Sequence, residues 1–276
     1  MADTFRPVII HQPPGDLISP VVFDNPHSGY SESWLWDAFL DRLLADVPQV
    51  GVPVLETDVP RTIIDTNRDI DEIDPSVFQE PWPYSHKLTV NVRNGMGLIP
   101  YLIKRRDGTL IQAFNEHSQL TVSEVKRRID EYYKPYYNAL ICLINQSQQQ
   151  HGIAIHFNFH STPRQGTPHH QDIILGNLKG KSCSPALLGF VQDFFKKEGL
   201  STGLNKPYPG GALIRRTHNP EQGCHSLQIE LARDLYMDQS SLTYDSHKGG
   251  HLKDTLTRLA KEVRQFSLTQ ADTLRP

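Results

Sequence analysis

The sequence lacks most of the features that mark secreted or membrane-bound proteins. Only three of its 276 residues are cysteines, and none are spaced as CxxC, which argues against a disulfide framework and a thiolate metal cluster. It contains no run of about 18 apolar residues, so no transmembrane helix is predicted. Its first residues show neither the basic nor the apolar segment of a signal peptide. We therefore expect a cytoplasmic protein without a membrane partner.

The chain also lacks an excess of charge of either sign. Twenty-eight Lys and Arg residues face 31 Asp and Glu residues, which gives a formal net charge of −3. Because nucleic-acid binding depends on a basic surface, this balance argues against a nucleic-acid partner. Histidine, in contrast, is abundant, with 13 residues. Since histidine binds metals and transfers protons near neutral pH, the enrichment favours a metal or acid–base site.

Strand and helix patterns alternate along the chain. They predict strands over 21–23, 52–58, 61–67, 153–160, 172–175 and 225–232, and helices that begin near 33, 121, 185 and 247. The second helix has a capping-box pattern at Thr121, should bend at Pro135 and should end at Gly152. Residues 74–100 are predicted as a long loop with hairpin structure near Gly95 and Gly97. The alternation predicts an α/β fold, one domain over residues 1–276 with a mixed, mostly parallel sheet flanked by helices.

Two histidines lie where open α/β sheets carry their functional groups, at the carboxyl ends of strands. His27 lies in the segment PHSG, directly after an apolar strand. In the strand 153–160, alternation places His156, Asn158 and His160 on one face. Burying three polar groups without hydrogen-bond partners would lower the stability of the fold by several kcal/mol, so this face of the strand either contacts water or binds a ligand. His27 and His160 are therefore candidate ligands or acid–base groups, and the alternative is a histidine bonded to loop or core groups.

A glutamate interrupts another apolar strand. Gln228 and Glu230 share one face of the strand predicted over 225–232, and the opposite face is apolar. A carboxylate in this setting is either part of a structural ion pair or a general base with a tuned pKa. Arg233 is close enough in sequence to supply the ion pair. The pattern alone leaves both interpretations open.

An arginine-rich segment supplies a further candidate site. Arg61, Asp65, Asn67 and Arg68 form the pattern RxxxDxNR. A guanidinium group presents a planar fork of donors to two carboxylate oxygens, so the segment is suited to an acidic ligand, although a solvated, salt-bridged turn is the alternative. The combination of two histidines, an isolated glutamate and this arginine-rich segment is typical of a zinc hydrolase. The absence of HExxH excludes the helical metalloprotease arrangement.

The ordered set of motifs resembles the N-formylglutamate amidohydrolase family, whose fold is similar to that of zinc carboxypeptidases and aspartoacylases. The resemblance extends from about residue 20 to about residue 240 and rests on PHSG at 26–29, WDAFLD at 36–41, RxxxDxNR at 61–68, HS at 160–161, LG at 175–176 and segments between 205 and 237. It implies that His27 and His160 are zinc ligands. It favours Asp37 as the third ligand over Asp24, which is nearer in sequence but matches less well.

The same resemblance implies the remaining roles. Glu230 would be the general base and Arg68 a second catalytic residue, and the substrate-binding residues would be Arg61, Asn67, Arg68, Asn205, Arg215 and Gln228. The expected reaction is zinc-dependent hydrolysis of an N-acyl amino acid, most simply N-formyl-L-glutamate to formate and L-glutamate. The alternatives are a related zinc hydrolase acting on another N-acyl amino acid or a short peptide, and a non-catalytic protein that binds an acidic ligand.

One position departs from the family pattern. Where the family has an aspartate two residues before the strand histidine, this chain has Asn158. A carboxylate there would orient the ligating histidine, whereas asparagine accepts a hydrogen bond but adds no charge. A reduced metal affinity or rate is therefore expected, and this departure motivates the non-catalytic alternative. The sequence leaves open whether His156, His169 and His170 line the site, and it favours a solvated loop for the last two.

Overall fold

The computed structural model describes residues 5–15, 17–104, 109–112, 120–164, 171–270 and 274. Its strands are β1 (Ile9–His11), β2 (Val21–Asn25), β3 (Val54–Glu56), β4 (Leu102–Lys104), β5 (Leu110–Gln112), β6 (Ala154–Thr162), β7 (Ile173–Gly176), β8 (Thr202–Leu204), β9 (Cys224–Ala232), β10 (Met237–Asp238) and β11 (Thr243–Tyr244). Its α-helices are α1 (Leu40–Leu44), α2 (Val90–Arg93), α3 (Val122–Arg128), α4 (Lys134–His151), α5 (Pro185–Lys197), α6 (Ala212–Thr217) and α7 (Ser246–Thr269).

A seven-stranded sheet forms the centre of the fold, in the order β1-β3-β2-β6-β9-β7-β8. The four adjacent strands β3, β2, β6 and β9 run parallel, and β7 and β8 are parallel to each other. The remaining pairings, β1 with β3 and β7 with β9, are antiparallel. The sheet is therefore mixed and mostly parallel, as the sequence predicts.

Helices cover both faces of the sheet. On one face, the apolar side chains of β2 and β6, among them Phe23 and Phe157, share a buried core with residues of α5 and α7. On the other face, Val22 and Ala154 pack with Tyr136 and Leu140 of α4. The polar residues of β6 alternate with its phenylalanines and so lie on the α4 side. All nine residues of β6 are buried, which means that each polar group there needs a partner.

The register of the parallel strands aligns the polar residues in rows. Asp24 of β2 is opposite Asn158 of β6, which is in turn opposite Gln228 of β9. One step further along the same face, His160 is opposite Glu230. Because side chains on neighbouring parallel strands point to the same side at paired positions, the sheet itself brings these groups together.

The long helices follow the predicted signals closely. Thr121 caps α3 by accepting a hydrogen bond from the Glu124 N–H at 3.2 Å, and Gly152 ends α4 in a left-handed conformation with φ 72°. A π-helical turn over Ile129–Tyr133 separates α3 from α4, and Pro135, where the sequence predicts a bend, lies in the first turn of α4. Among the described helices, none combines the length and the apolar character needed to cross a membrane.

Three local predictions are wrong. The helix expected from residue 33 begins only at Leu40, because Phe39 has a left-handed φ of 63° and the Asp37 N–H bonds the His27 carbonyl instead of a helical one. Residues 61–67 form turns and not a strand. The hairpin expected near Gly95 and Gly97 lies later, between β4 and β5, and helix α2 occupies part of the predicted loop.

Candidate active site

His27, Asp37 and His160 converge at the carboxyl ends of β2 and β6. The Nδ1 atoms of His27 and His160 lie 3.2 Å and 2.9 Å from the same Oδ2 atom of Asp37. All three side chains are buried, and one potential ligand atom from each lies within 4.8 Å of the others. The turn that breaks the predicted helix carries Asp37 back to His27, so the tertiary structure brings together the three residues predicted as ligands. Two imidazole nitrogens and one carboxylate oxygen form a donor set that suits zinc.

Asp24, the other candidate for the third ligand, is directed elsewhere. Its Oδ1 accepts hydrogen bonds from His156 Nε2 at 2.7 Å and Asn158 Nδ2 at 2.8 Å, and its Oδ2 accepts one from the Tyr136 hydroxyl at 2.8 Å. Its side chain does not line the cavity described below. His156 does not line this cavity either, and its Nδ1 contacts the Thr217 hydroxyl at 3.0 Å. His169 and His170 lie outside the described residues.

The far nitrogen of His27 is held by a buried carboxylate. Its Nε2 lies 2.9 Å from Asp65 Oδ1, and Asp65 Oδ2 accepts a hydrogen bond from Arg61 Nε at 2.7 Å. Burial by itself raises the pKa of Asp65, but the charges of Arg61, Arg68 and His27 outweigh burial and hold that pKa well below its usual value. An ionised Asp65 accepts a hydrogen bond from His27 Nε2–H, and the Nδ1 atom on the side of Asp37 is then the ring nitrogen that a bound metal ion would use.

The far nitrogen of His160 contacts two asparagines. Asn158 Oδ1 and Asn67 Nδ2 each lie 2.9 Å from His160 Nε2. The other side of the Asn67 amide accepts a hydrogen bond from the Leu213 N–H at 3.0 Å. Asn67 therefore acts as a brace between His160 and the start of α6. It also lines the cavity described below, and its binding of substrate stays a prediction.

Asp37 is supported by a buried arginine that sequence reasoning had considered only as a partner for Glu230. Arg233 Nη2 lies 3.4 Å from Asp37 Oδ1 and donates to the Trp36 carbonyl at 2.7 Å, while its Nε donates to the Ser161 hydroxyl at 3.1 Å. Burial raises the pKa of Asp37, but hydrogen bonds from His160 and His27 dominate and lower it strongly. Among the described residues no ion pair joins Arg233 to Glu230, so the structural alternative for Glu230 loses its named partner.

Glu230 faces the site from the neighbouring strand. Gln228 Nε2 donates to Glu230 Oε1 at 2.8 Å, and Gln228 Oε1 accepts the Gly211 N–H at 2.7 Å. Burial raises the pKa of Glu230 to about 7, against the opposing effect of His160. A carboxyl group that titrates near neutral pH can take and return a proton at little cost, which is the property of a general base. Gln228 thus fixes this carboxyl group, and since it also lines the cavity described below, its predicted contact with the substrate stays a prediction.

A cavity of about 460 Å³ opens over these groups. Its wall includes all three candidate ligands and Glu230, together with Arg61, Arg68, Arg215 and Arg233. The wall thus carries four guanidinium groups and two carboxylates, and Asp65 and Asp69, which are not among the wall residues, pair with Arg61 and Arg215. Guanidinium groups at a cavity wall suit an anionic ligand, although the whole chain is slightly acidic.

Two of these arginines have guanidinium nitrogens available to a ligand. Arg68 donates from Nε to the Met96 carbonyl at 2.9 Å and from Nη1 to the Asn67 carbonyl at 3.1 Å, and its Nη2 has no hydrogen-bond partner among the described residues. Arg61 bonds Asp65 through Nε, and both of its Nη atoms lack such a partner in the described part of the chain. Arg61 and Arg68 therefore form a rigid pair of donors at the cavity wall.

The last two predicted substrate-binding residues differ in position. Arg215 lies at the more exposed rim of the cavity and pairs with Asp69 at 2.7 Å. Asn205 does not belong to the described cavity wall, and its side chain bonds the Asn177 N–H, the Lys179 N–H and Asn177 Oδ1 at 2.8–3.2 Å. Its left-handed backbone, with φ 61°, identifies a loop-stabilising residue. The structure thus does not bring Asn205 to the site.

Sequence reasoning missed several residues of the cavity. Ser161, Tyr208 and Arg233 all line it, and the Tyr208 hydroxyl contacts Thr162 Oγ1 at 2.9 Å. Position in the sequence carries a signal for Ser161, which directly follows a predicted ligand. Tyr208 lies in a segment without periodicity, so only the tertiary structure reveals its place.

The comparisons with known proteins agree with this geometry. The family model of N-formylglutamate amidohydrolase matches residues 19–237. The chain belongs to the N-formylglutamate amidohydrolase family. It is 27% identical to an N-formylglutamate deformylase of Pseudomonas putida over 247 residues, which cover 80% of this chain and 83% of that protein. It is 28% identical to an N-formylglutamate deformylase of Pseudomonas aeruginosa over 242 residues, 85% of this chain and 84% of that protein.

Solved structures support the same assignment. The crystal structure of an N-formylglutamate amidohydrolase from Ralstonia eutropha superposes with a TM-score of 0.84 at 31% identity and covers 94% of this chain and 98% of that one. A protein from Agrobacterium tumefaciens shares the fold, with a TM-score of 0.65 at 15% identity over 95% of this chain and 96% of that one. As a member of this family, the chain is a hydrolase that acts on an amide bond.

Proposed function

We propose that this protein is a zinc-dependent amidohydrolase that converts N-formyl-L-glutamate to formate and L-glutamate. The observation that carries the proposal is the convergence of His27, Asp37 and His160 beside a buried Glu230 in a cavity lined by arginines. The names of the relatives from Pseudomonas and Ralstonia support the choice of substrate.

The residues present fit a zinc ion. His27 and His160 direct Nδ1 toward Asp37, and the opposite nitrogen of each ring has an oxygen acceptor, Asp65 for His27 and Asn158 for His160. An acceptor at the far nitrogen selects the tautomer whose other nitrogen is free to bind metal. Three protein ligands leave a position for water, and bound zinc would lower the pKa of that water and polarise the carbonyl of the substrate.

Glu230 would move the proton in the reaction. It removes a proton from the water that attacks the formyl carbon, and it then delivers that proton to the departing amine nitrogen of glutamate. Its pKa near 7 suits both steps, because neither form of the group is strongly disfavoured at neutral pH. Gln228 holds Oε1 and so limits the directions in which the carboxyl group can turn.

Arg61 and Arg68 would bind the carboxylates of the substrate. N-Formylglutamate carries two negative charges near neutral pH, one on the α-carboxylate and one on the side chain. The unpartnered Nη atoms of the two arginines offer donors of fixed geometry, and their charge matches the ligand. Arg215, with a more exposed guanidinium group at the rim, is suited to the second carboxylate.

The test measures metal content and formate release in the same preparation. We expect one zinc per chain, release of formate from N-formyl-L-glutamate, loss of that release after chelation and its return on adding zinc. Zinc without formate release would overturn the choice of acyl group, and N-acetyl- and aminoacyl-glutamate would then identify a related substrate. Chains that bind no zinc and stay inactive when zinc is added would overturn the proposed mechanism.

A further inference from the structure

The proposed reaction gives no role to the buried carboxylate of Asp24. Asp24 has no exposed surface and lies outside the cavity wall, yet it accepts hydrogen bonds from three groups. These donors are the Tyr136 hydroxyl, His156 Nε2 and Asn158 Nδ2, at 2.7–2.8 Å, and none of the three residues belongs to the described cavity wall. Burial and the charge of Asp24 raise the pKa of Tyr136 well above its usual value, so the tyrosine hydroxyl remains a donor. The two carboxylate oxygens of Asp24 therefore serve as acceptors for all three groups.

Asn158 connects this carboxylate to a candidate metal ligand. Its Nδ2 donates to Asp24 Oδ1, and its Oδ1 lies 2.9 Å from His160 Nε2. Because a carboxylate cannot donate a hydrogen bond, Asp24 determines which end of the Asn158 amide faces it. The oxygen end is thereby directed at His160.

The orientation of this amide favours one tautomer of His160. An oxygen 2.9 Å from Nε2 favours Nε2–H, and the lone pair of Nδ1, the nitrogen that faces Asp37, is then available to a metal ion. Asn67 Nδ2 is a donor at the same 2.9 Å distance and favours the opposite tautomer. The two asparagines therefore compete, and only the Asp24–Asn158 pair favours the form of His160 that can bind metal.

We propose that Asp24 is a positioning residue for the metal centre and acts on His160 through the Asn158 amide. This inference rests on the metal centre of the proposed function. The pair Asp24–Asn158 supplies the oriented acceptor and the negative charge that a single carboxylate at position 158 would otherwise supply. The reduced metal affinity expected from Asn158 in the sequence is thus compensated from the neighbouring strand.

The spacing explains why position 158 carries an amide here. Asp24 and Asn158 are paired positions on β2 and β6, and their side-chain atoms approach to 2.8 Å. An aspartate at 158 would bring two buried carboxylates to this distance, and one of them would have to take up a proton. An amide avoids this repulsion and still joins the two groups. Exchanging the two residues should therefore preserve the function, whereas neutralising Asp24 alone should not.

The experiment measures the zinc dissociation constant of the folded full-length chain by competition with a chromogenic chelator. The variants are Asp24→Asn, Asn158→Ala, which interrupts the connection, and the exchange Asp24→Asn with Asn158→Asp. We expect Asp24→Asn and Asn158→Ala each to weaken zinc binding about 10-fold, the lower end of the range for residues that support metal ligands. The exchange should bind zinc within about threefold of the wild type, since it restores an oriented carboxylate next to His160.

Tyr136→Phe serves as the matched control. It removes another hydrogen bond to Asp24 but leaves the carboxylate and Asn158 in place. We expect it to lower the thermal unfolding temperature of the metal-free protein while leaving the zinc dissociation constant within about twofold of the wild type. Weakened zinc binding in Tyr136→Phe equal to that in Asp24→Asn would mean that Asp24 serves only the packing of the core, and it would overturn the inference.

The remaining outcomes separate this inference from the proposed function. A wild type that binds no zinc would overturn the metal centre and this inference with it. If the wild type binds zinc and Asp24→Asn binds it equally tightly, the inference about Asp24 is overturned, while the proposed metal centre stands. Should Asp24→Asn fail to fold, the exchange is compared with Asn158→Ala, and an exchange that binds zinc no better than Asn158→Ala would also overturn it.

Discussion

His160 and Glu230 occupy directly opposed positions on the parallel strands β6 and β9. The first is a candidate metal ligand and the second a buried carboxyl group with a pKa raised to about 7. The hydrogen bonds of the sheet determine the spacing of their backbone positions, and neighbouring side chains such as Asn67 and Gln228 then orient the two groups. A shift of the register by one residue would turn one of the two side chains into the apolar core. The central sheet thus acts as the frame of the proposed reaction.

Replacing Glu230 by glutamine tests the general base. Glutamine keeps the shape of the side chain but cannot take a proton, so we expect kcat for N-formyl-L-glutamate to fall by at least about 100-fold. Zinc content should stay at the wild-type level, because Glu230 is not among the three candidate ligands. Steady-state kinetics with metal analysis of the same sample checks both expectations. Unimpaired turnover would exclude Glu230 as the base.

The raised pKa of Glu230 also predicts a pH dependence of stability in the metal-free protein. The folded chain holds this proton with a pKa of about 7 and the unfolded chain near the ordinary value of 4.5. The resulting stabilisation is complete below pH 4.5 and is lost as the pH rises through 7. The free energy of unfolding should fall by up to about 3 kcal/mol over this range. Urea unfolding between about pH 5 and pH 8 should show this loss in the wild type relative to Glu230→Gln. If the free energy of unfolding changes with pH by the same amount in the wild type and in Glu230→Gln, the prediction is contradicted.

Arg68 is expected to contribute to substrate binding through charge and geometry. In Arg68→Met we expect KM for N-formyl-L-glutamate to rise about 10- to 100-fold, because a hydrogen-bonded ion pair with the substrate is lost. Arg258→Met is the control, since Arg258 pairs with Glu198 far from the cavity wall and its loss should leave the kinetics unchanged. An effect of Arg68→Met confined to kcat would instead assign Arg68 to the charge that develops on the reacting carbonyl.

The brace formed by Asn67 predicts a steric effect at a glycine. A Cβ atom added to Gly211 would lie 2.4 Å from Asn67 Oδ1, so Gly211→Ala must displace the amide that contacts His160. We expect kcat/KM to fall about 10-fold and the free energy of unfolding to fall by about 1–3 kcal/mol. Gly189→Ala is the control, because nothing lies within 4 Å of its added Cβ in helix α5. It should keep full activity and gain about 0.5–1 kcal/mol in stability.

Strong periodic signals in the sequence predicted much of the fold. The alternation in β6 and β9, the capping box at Thr121 and the glycine at 152 are local features whose physical effect does not depend on the rest of the chain. The failed predictions lie where tertiary contacts override local preference. Residues 33–39 have a helical pattern, but the Asp37 N–H finds its acceptor in the His27 carbonyl, and the helix is delayed to Leu40.

The candidate ligands and Glu230 could be named from sequence because their motifs are specific as an ordered set. The contacts of their neighbours could not be named in this way. Asn67 and Gln228 have side chains suited to substrate binding and line the cavity, but they also contact His160 and Glu230, which the sequence did not indicate. A sequence states which donors and acceptors a residue has, and it does not state which of them are already taken. That requires the positions of all surrounding groups.

The sequence by itself therefore determined the class of the fold, the family and the chemistry of the candidate site, because these depend on periodicity and on the types of a few spaced residues. The resemblance favoured Asp37 over Asp24 as the third ligand, and only the tertiary structure supplied the contacts that bring Asp37 to both histidines. Asp24, adjacent to the motif of His27, turns toward Tyr136 and His156, while Asp37 is returned to His27 by a turn. Proximity in a folded chain is determined by strand register and turn geometry, which join residues such as Asp24 and Asn158 across more than a hundred positions of sequence.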